Sequence, residues 1–159
     1  MMNLPIPLPR LRARHLAALL LLAALPACED GYRADAEITG MQTGITRQQF
    51  EALPDSVRLG KDSDDSRGEV QGVAVDVVVK LYAQKGRKVP LDYTLHDARN
   101  DLAFVSRRLA VQPDQEQWTR SGRVWLPVPS PGTYYVQVVV ADSSGRKTDG
   151  PRTDDFTVQ

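Results

Sequence analysis

From Glu69 onward the chain alternates. Val73, Val75, Val77, Val79 and Leu81 are separated by Ala74, Asp76, Val78, Lys80 and Tyr82, which puts an unbroken aliphatic row on one face of a long strand. A turn over residues 84–88 closes it. Leu91, Tyr93 and Leu95 then alternate with Asp92, Thr94 and His96, a second half-buried strand, and residues 97–101 turn the chain again. Residues 102–111 read as a weaker strand interrupted by Arg107 and Arg108, followed by a polar loop over 112–117. Val124 and Leu126 begin a further strand that ends in the proline-rich run from Pro127 to Pro131. The strongest period-two signal follows, with Tyr134, Val136, Val138 and Val140 set against Tyr135, Gln137, Val139 and Ala141. Gly145 suits a turn, and Phe156 and Val158 form a closing strand. No segment between strands is long enough for a crossover helix, so the pattern predicts an antiparallel sandwich of about seven strands.

The preceding segment is mixed. Thr46 followed three residues later by Gln49 matches a capping box, and Phe50 and Leu53 supply an apolar pair before Pro54, so one short helix is expected near 46–53. Residues 36–40 or 56–60 could each supply an edge strand. Residues 61–68 are a loop by composition. The expected organisation is a leader over 1–27, a tether and N-terminal segment over 28–68, and a sandwich over 69–159.

The run from Pro131 to Asp142, with Gly145 and the terminal Phe156-Thr157-Val158, resembles the last two strands of bacterial Ig-like domains, including fibronectin type III and PKD-type modules. The resemblance implies that Tyr134 and Tyr135 open strand F of an Ig-like antiparallel sandwich. It speaks to fold and is nearly silent on function, because this architecture hosts many unrelated tasks. The Trp-Asp-Phe-Gly-Asp signature of PKD repeats and the paired cysteines of antibody domains are both missing.

The amino end is an address. Arg10, Arg12 and Arg14 precede an unbroken apolar run over residues 16–25, the charged and apolar regions of a secretory signal. A ten-residue helix rises about 15 Å, roughly half of a hydrocarbon core, so the run is too short for a stable span. It ends in Leu25, Pro26, Ala27 and Cys28, the chain's only cysteine. These four residues resemble the lipobox of bacterial lipoproteins, which implies a diacylglycerol thioether on Cys28 and cleavage just before it. Several acyl chains give durable attachment where one gives marginal binding. The competing reading is ordinary cleavage after Ala27, which prefers a small residue where Leu25 stands.

Composition then narrows the chemistry. Basic and acidic side chains balance at 20 each, which supplies no global field for a phosphate backbone, so nucleic acid is not an expected partner. Loss of the three leader arginines leaves the mature chain slightly acidic. With only His15, His96 and Cys28 as soft ligands, no metal site and no cofactor are expected. His96 is the sole mature histidine, and no Gly-x-Ser-x-Gly elbow accompanies it, so no catalytic residue is assigned. The run from Asp62 to Glu69 fails as a calcium loop, because Gly68 falls one place late and Val73 stands where the closing Glu belongs. Asp142, Asp149, Asp154 and Asp155 read as turn residues.

The outer faces carry more information. Tyr135, Val139 and Ala141 should point outward beside Thr94 and His96, and such an aromatic and aliphatic row needs a cover. Either residues 32–60, through Phe50 and Leu53, fold over it, or a partner does. Trp125 alternates out of phase with Val124 and Leu126 and is expected to be exposed, with Trp118 a second candidate. Exposed aromatics anchor interfaces or stack on sugars. The leading expectation is therefore a non-catalytic envelope protein, anchored to the membrane by lipid on Cys28, that presents an Ig-like domain to an envelope protein partner or as structural support. The second is a glycan-binding module using Trp118, Trp125 and Tyr135.

Overall fold

A computed structural model describes residues 32–60, 70–83, 85–141 and 150–159. Seven strands and one short helix follow in the order β1 (Arg33–Thr46), α1 (Arg47–Glu51), β2 (Gln71–Tyr82), β3 (Val89–Asp97), β4 (Ala103–Val111), β5 (Gln117–Pro127), β6 (Gly132–Val140) and β7 (Phe156–Val158). They form two antiparallel sheets, β1-β2-β5 and β4-β3-β6-β7. The described residues form an all-β, Ig-like antiparallel sandwich of seven strands.

The two sheets are joined by the aliphatic rows that alternation predicts. Val73, Val75, Val77, Val79 and Leu81 from β2 meet Leu91, Tyr93 and Leu95 from β3 and Tyr134, Val136, Val138 and Val140 from β6 in one buried cluster. Each such Val or Leu contributes about 1.5–3 kcal/mol by leaving water. At the corner entering β6, the Tyr134 hydroxyl donates to the Ser130 carbonyl oxygen at 2.8 Å, the tyrosine corner found in Ig-like sandwiches.

The sandwich begins at Arg33, well before the expected boundary at residue 69. β1 pairs with β2 from Arg33 opposite Tyr82 to Thr46 opposite Gln71. Its short inward side chains, Ala34, Ala36 and Ile38, pack against the main core, while Arg33, Asp35 and Glu37 are exposed. Two irregularities interrupt the pairing, between Ile38 and Gly40 and between Thr43 and Ile45. The second contains Gly44 at φ 72°, a conformation that costs an L residue about 1–2 kcal/mol. This bulge turns Ile45 to the outer face of the sheet. The chain then enters α1 through the expected capping box, in which Thr46 Oγ1 accepts from Gln49 N and Gln49 Oε1 accepts from Thr46 N.

β5 is longer than its sequence pattern suggested, starting at Gln117 instead of Val124. Its inward positions include Arg120 and Gly122, which break the apolar alternation. Leu59 fills the gap. Residues 57–59 lie beside β5, with Leu59 N donating to Arg123 O at 3.1 Å and Arg123 N to Val57 O at 2.8 Å. A Cβ on Gly122 would sit 2.7 Å from the Leu59 Cα, so the close approach demands glycine. The expected edge strand over 56–60 is thus realised as a parallel bridge.

Candidate interaction surfaces

The outer face of the four-stranded sheet is built on β6, β3 and β4. Tyr135 stands opposite His96, and their rings stack with centroids 4.8 Å apart and planes 1° from parallel. The Arg152 guanidinium lies 3.9 Å from the Tyr135 ring centroid and pairs with Asp155 at 2.6 Å. The Tyr135 hydroxyl donates to the Asp101 carboxylate, and that bond, followed by burial and by the charge of Asp101, pushes its pKa above the usual tyrosine range. His96 Nδ1 is 3.3 Å from the Asp101 carbonyl oxygen. Tyr135 keeps only 5% of its surface exposed. Residues of its own sheet and of the strand approach to β7 cover it; the 32–60 segment, one of the two covers anticipated, does not.

Farther along the same face the character is polar. Val139 is half-buried opposite Asp92; Asp92 accepts two hydrogen bonds from Arg108, at 2.5 and 2.8 Å. Thr94 and Ser106 share a hydrogen bond at 2.7 Å. Val139 and Tyr135 therefore belong to a polar, internally paired face, and the apolar row inferred from β6 alone is diluted by its neighbours.

Trp125 does point outward, yet it is only 3% exposed. α1 covers it. Phe50, Ile45, Ala74 and Trp125 form a second buried cluster, with Leu53 packed against it, and Trp125 Nε1 donates to the Ile45 carbonyl oxygen at 3.0 Å. Phe50 and Leu53 thus cover an outer face as expected, but that of the three-stranded sheet. Trp118 points inward and belongs to the main core. None of Trp118, Trp125 and Tyr135 offers a free ring face for a sugar, which removes the platform on which the glycan reading stood.

Beside α1 lies a cavity of about 220 Å³, bordered by Arg47, Phe50, Glu51, Arg58, Arg123 and Trp125. Its guanidiniums are matched by acids of the same chain: Arg123 by Asp76 at 2.7 and 3.0 Å, Arg47 by Glu51 at 2.6 Å, and Arg58 by Asp55. The Asp76 carboxylate holds the Arg123 pKa above its ordinary value, chiefly through these hydrogen bonds.

Two exposed hydrophobic side chains escaped sequence reasoning. Leu102 is 63% and Phe104 50% exposed. Leu95 pairs with Val105 and His96 with Ala103, so Phe104 is the extra residue of a bulge, a feature that strand periodicity does not announce. Phe104 meets the Tyr134 ring edge-on at 5.7 Å. Among the described residues, no group of three His, Cys, Asp or Glu is arranged to hold a metal ion, and no helix is long and apolar enough to cross a membrane.

The lipobox-like residues Leu25, Pro26, Ala27 and Cys28 lie outside the described residues, as do the Asp62–Glu69 loop, Asp142 and Asp149. The first described residue, Tyr32, is held to the sandwich. Its hydroxyl donates to the Ala141 carbonyl oxygen at 2.6 Å, and the Arg87 guanidinium lies 4.8 Å from its ring centroid.

No family model matches the sequence, and no curated protein matches it. Among solved structures, a β-glucosidase involved in saponin metabolism from intestinal bacteria is similar over 82% of this chain and 16% of its own, at 16% identity and a TM-score of 0.39. This chain therefore spans about a sixth of the length of that enzyme.

Proposed function

We propose that the protein is a non-catalytic, lipid-anchored component of a bacterial envelope, whose Ig-like sandwich serves protein interaction or structural support at the membrane surface. The observation that carries this reading is Leu25-Pro26-Ala27-Cys28 at the end of a ten-residue apolar run, with Cys28 the chain's only cysteine. A free odd thiol is unusual in an exported protein, and acylation consumes it. The sandwich supports the reading in two ways. Several of its charged groups are engaged in pairs, such as Arg108 with Asp92 and Arg123 with Asp76, and its exposed apolar side chains include Leu102 and Phe104, suited to a protein partner. Confinement of the domain to a surface raises its encounter rate with other membrane-bound proteins.

Replacing Cys28 by Ser tests the anchor. The unaltered protein is expected in the membrane fraction and in the detergent-rich phase on phase separation. The Cys28→Ser protein is expected to lose both partitions while keeping its β-sheet circular dichroism. Retention of the variant in the detergent phase would overturn the reading.

A further inference from the structure

Strand direction divides the sandwich into two poles. The start of β1, the ends of β2, β4 and β6 and the start of β5 gather at one pole, as the pairings of Arg33 with Tyr82, Tyr82 with Gln117, Val89 with Val111 and Leu91 with Val140 require. Leu102 and Phe104 lie at the opposite pole, where His96 pairs with both Ala103 and Tyr135. Nine-residue β3 spans the distance between them, about 30 Å at the usual strand rise.

The first pole is where the chain enters. Tyr32 is bonded there to Ala141 and stacked under Arg87. Only Glu29, Asp30 and Gly31 separate Cys28 from Tyr32, so the four virtual bonds between those two Cα atoms reach at most about 14 Å even when fully extended. The pole is also stitched together. Gly86 N donates to Pro113 O at 2.8 Å, Ala83 N to Glu116 O at 3.0 Å, and Gln112 Nε2 to Gly86 O at 2.9 Å. This presents Lys85, Arg87 and Lys88 as a basic turn, with Tyr82 half exposed beside it. Among the described residues, Asp114 and Glu116 share the pole with this turn, and Glu29 and Asp30 lie in the tether, so the contact proposed is local to the turn and does not follow from the net charge of the pole.

Resting on the lipid-anchor reading, we propose that this pole lies against the membrane, with the Lys85–Lys88 turn among anionic phospholipid headgroups, and that Leu102 and Phe104 are thereby held away from the bilayer on the side open to a partner. The short tether sets the nearness, and the charge of the turn sets the tilt.

The test uses lipidated protein in vesicles of phosphatidylcholine and phosphatidylglycerol that contain a headgroup-attached fluorescence quencher. Acylation consumes the native thiol, so Gln115→Cys and Leu102→Cys each supply a single labelling position, one at each pole. Strong quenching at position 115 and its loss at position 102 are expected. In the Gln115→Cys background, charge reversal by Lys85→Glu with Lys88→Glu is expected to weaken quenching while flotation persists. Flotation with equal quenching at both poles would overturn the orientation alone. Unchanged quenching after charge reversal would overturn the headgroup contact. Failure to float with vesicles would overturn the anchor reading and this orientation with it.

Discussion

Tyr135 is an outward-facing residue that behaves as a buried one, because His96 and Arg152 close on its ring and Asp101 receives its hydroxyl hydrogen bond. Removing the hydroxyl leaves the stack intact and strips one charge-assisted bond, so Tyr135→Phe is expected to cost about 1–2 kcal/mol in urea denaturation at neutral pH. Its raised pKa means that the folded state holds the phenolic proton more tightly than the unfolded chain does. That contribution is complete below the unfolded tyrosine pKa of about 10 and is lost as pH rises through the folded value. Melting temperatures taken up an alkaline series should fall more steeply for the unaltered protein than for Tyr135→Phe. Asp97 runs the other way. Its carboxylate accepts from Arg99 N at 2.8 Å and from the Arg99 guanidinium at 3.2 and 3.3 Å, and the guanidinium bonds, then the backbone bond, lower its pKa. A lowered carboxylate pKa stabilises the fold above the unfolded value of about 3.9 and ceases to do so as pH falls through the folded value. The melting-temperature gap between the unaltered protein and Asp97→Asn is therefore expected to close on acidification.

At the scale of elements, the cover over Trp125 depends on a bulge. Gly44 at φ 72° turns Ile45 outward and delivers α1 to the sheet. Gly44→Ala is expected to cost about 1–2 kcal/mol from backbone strain, and Trp125→Ala about 3–5 kcal/mol from lost packing, both measured by urea denaturation. If α1 were loosely attached, Trp125→Ala would cost far less. These elements also show what alternation encodes. β2 is legible because its inward positions carry four valines and a leucine in one phase, and α1 is legible because Thr46 and Gln49 cap it reciprocally. β1 is only partly legible, since an edge strand needs little bulk and its inward Ala34 and Ala36 look like helix or loop residues. The first half of β5 is hidden because Gly122 leaves its inward space to Leu59, a residue sixty-three positions earlier. Periodicity placed Trp125 on the right face, but it could not show that α1 would cover that face. The same limit applies to Tyr135, whose covering Arg152 comes from the extended segment before β7 and whose hydroxyl partner Asp101 comes from the turn between β3 and β4.

At the scale of the whole molecule, two sheets cohere through one aliphatic interior, and the edges of the four-stranded sheet resist further pairing. β4, at one edge, carries exposed Arg108 clamped to Asp92, and β7, at the other, is three residues long. Charged and short edges both discourage strand addition by a second chain. A module of this kind suits display on a surface, and the proposed orientation turns the pole bearing exposed Leu102 and Phe104 away from the bilayer. Leu102→Asp together with Phe104→Asp is expected to lower the melting temperature modestly, through loss of the edge contact of Phe104 with Tyr134, while abolishing crosslinks formed in membranes between this pole and a neighbouring envelope protein. Crosslinks that survive the substitution would place the partner elsewhere.

The covalent state of Cys28 is the most direct test of the account. Mass spectrometry of the intact protein extracted from membranes is expected to show a chain beginning at Cys28 and heavier than its amino-acid mass by a diacylglycerol thioether, with or without an amide-linked acyl chain. A mass equal to that of the unmodified polypeptide, with a thiol open to alkylation, would contradict it.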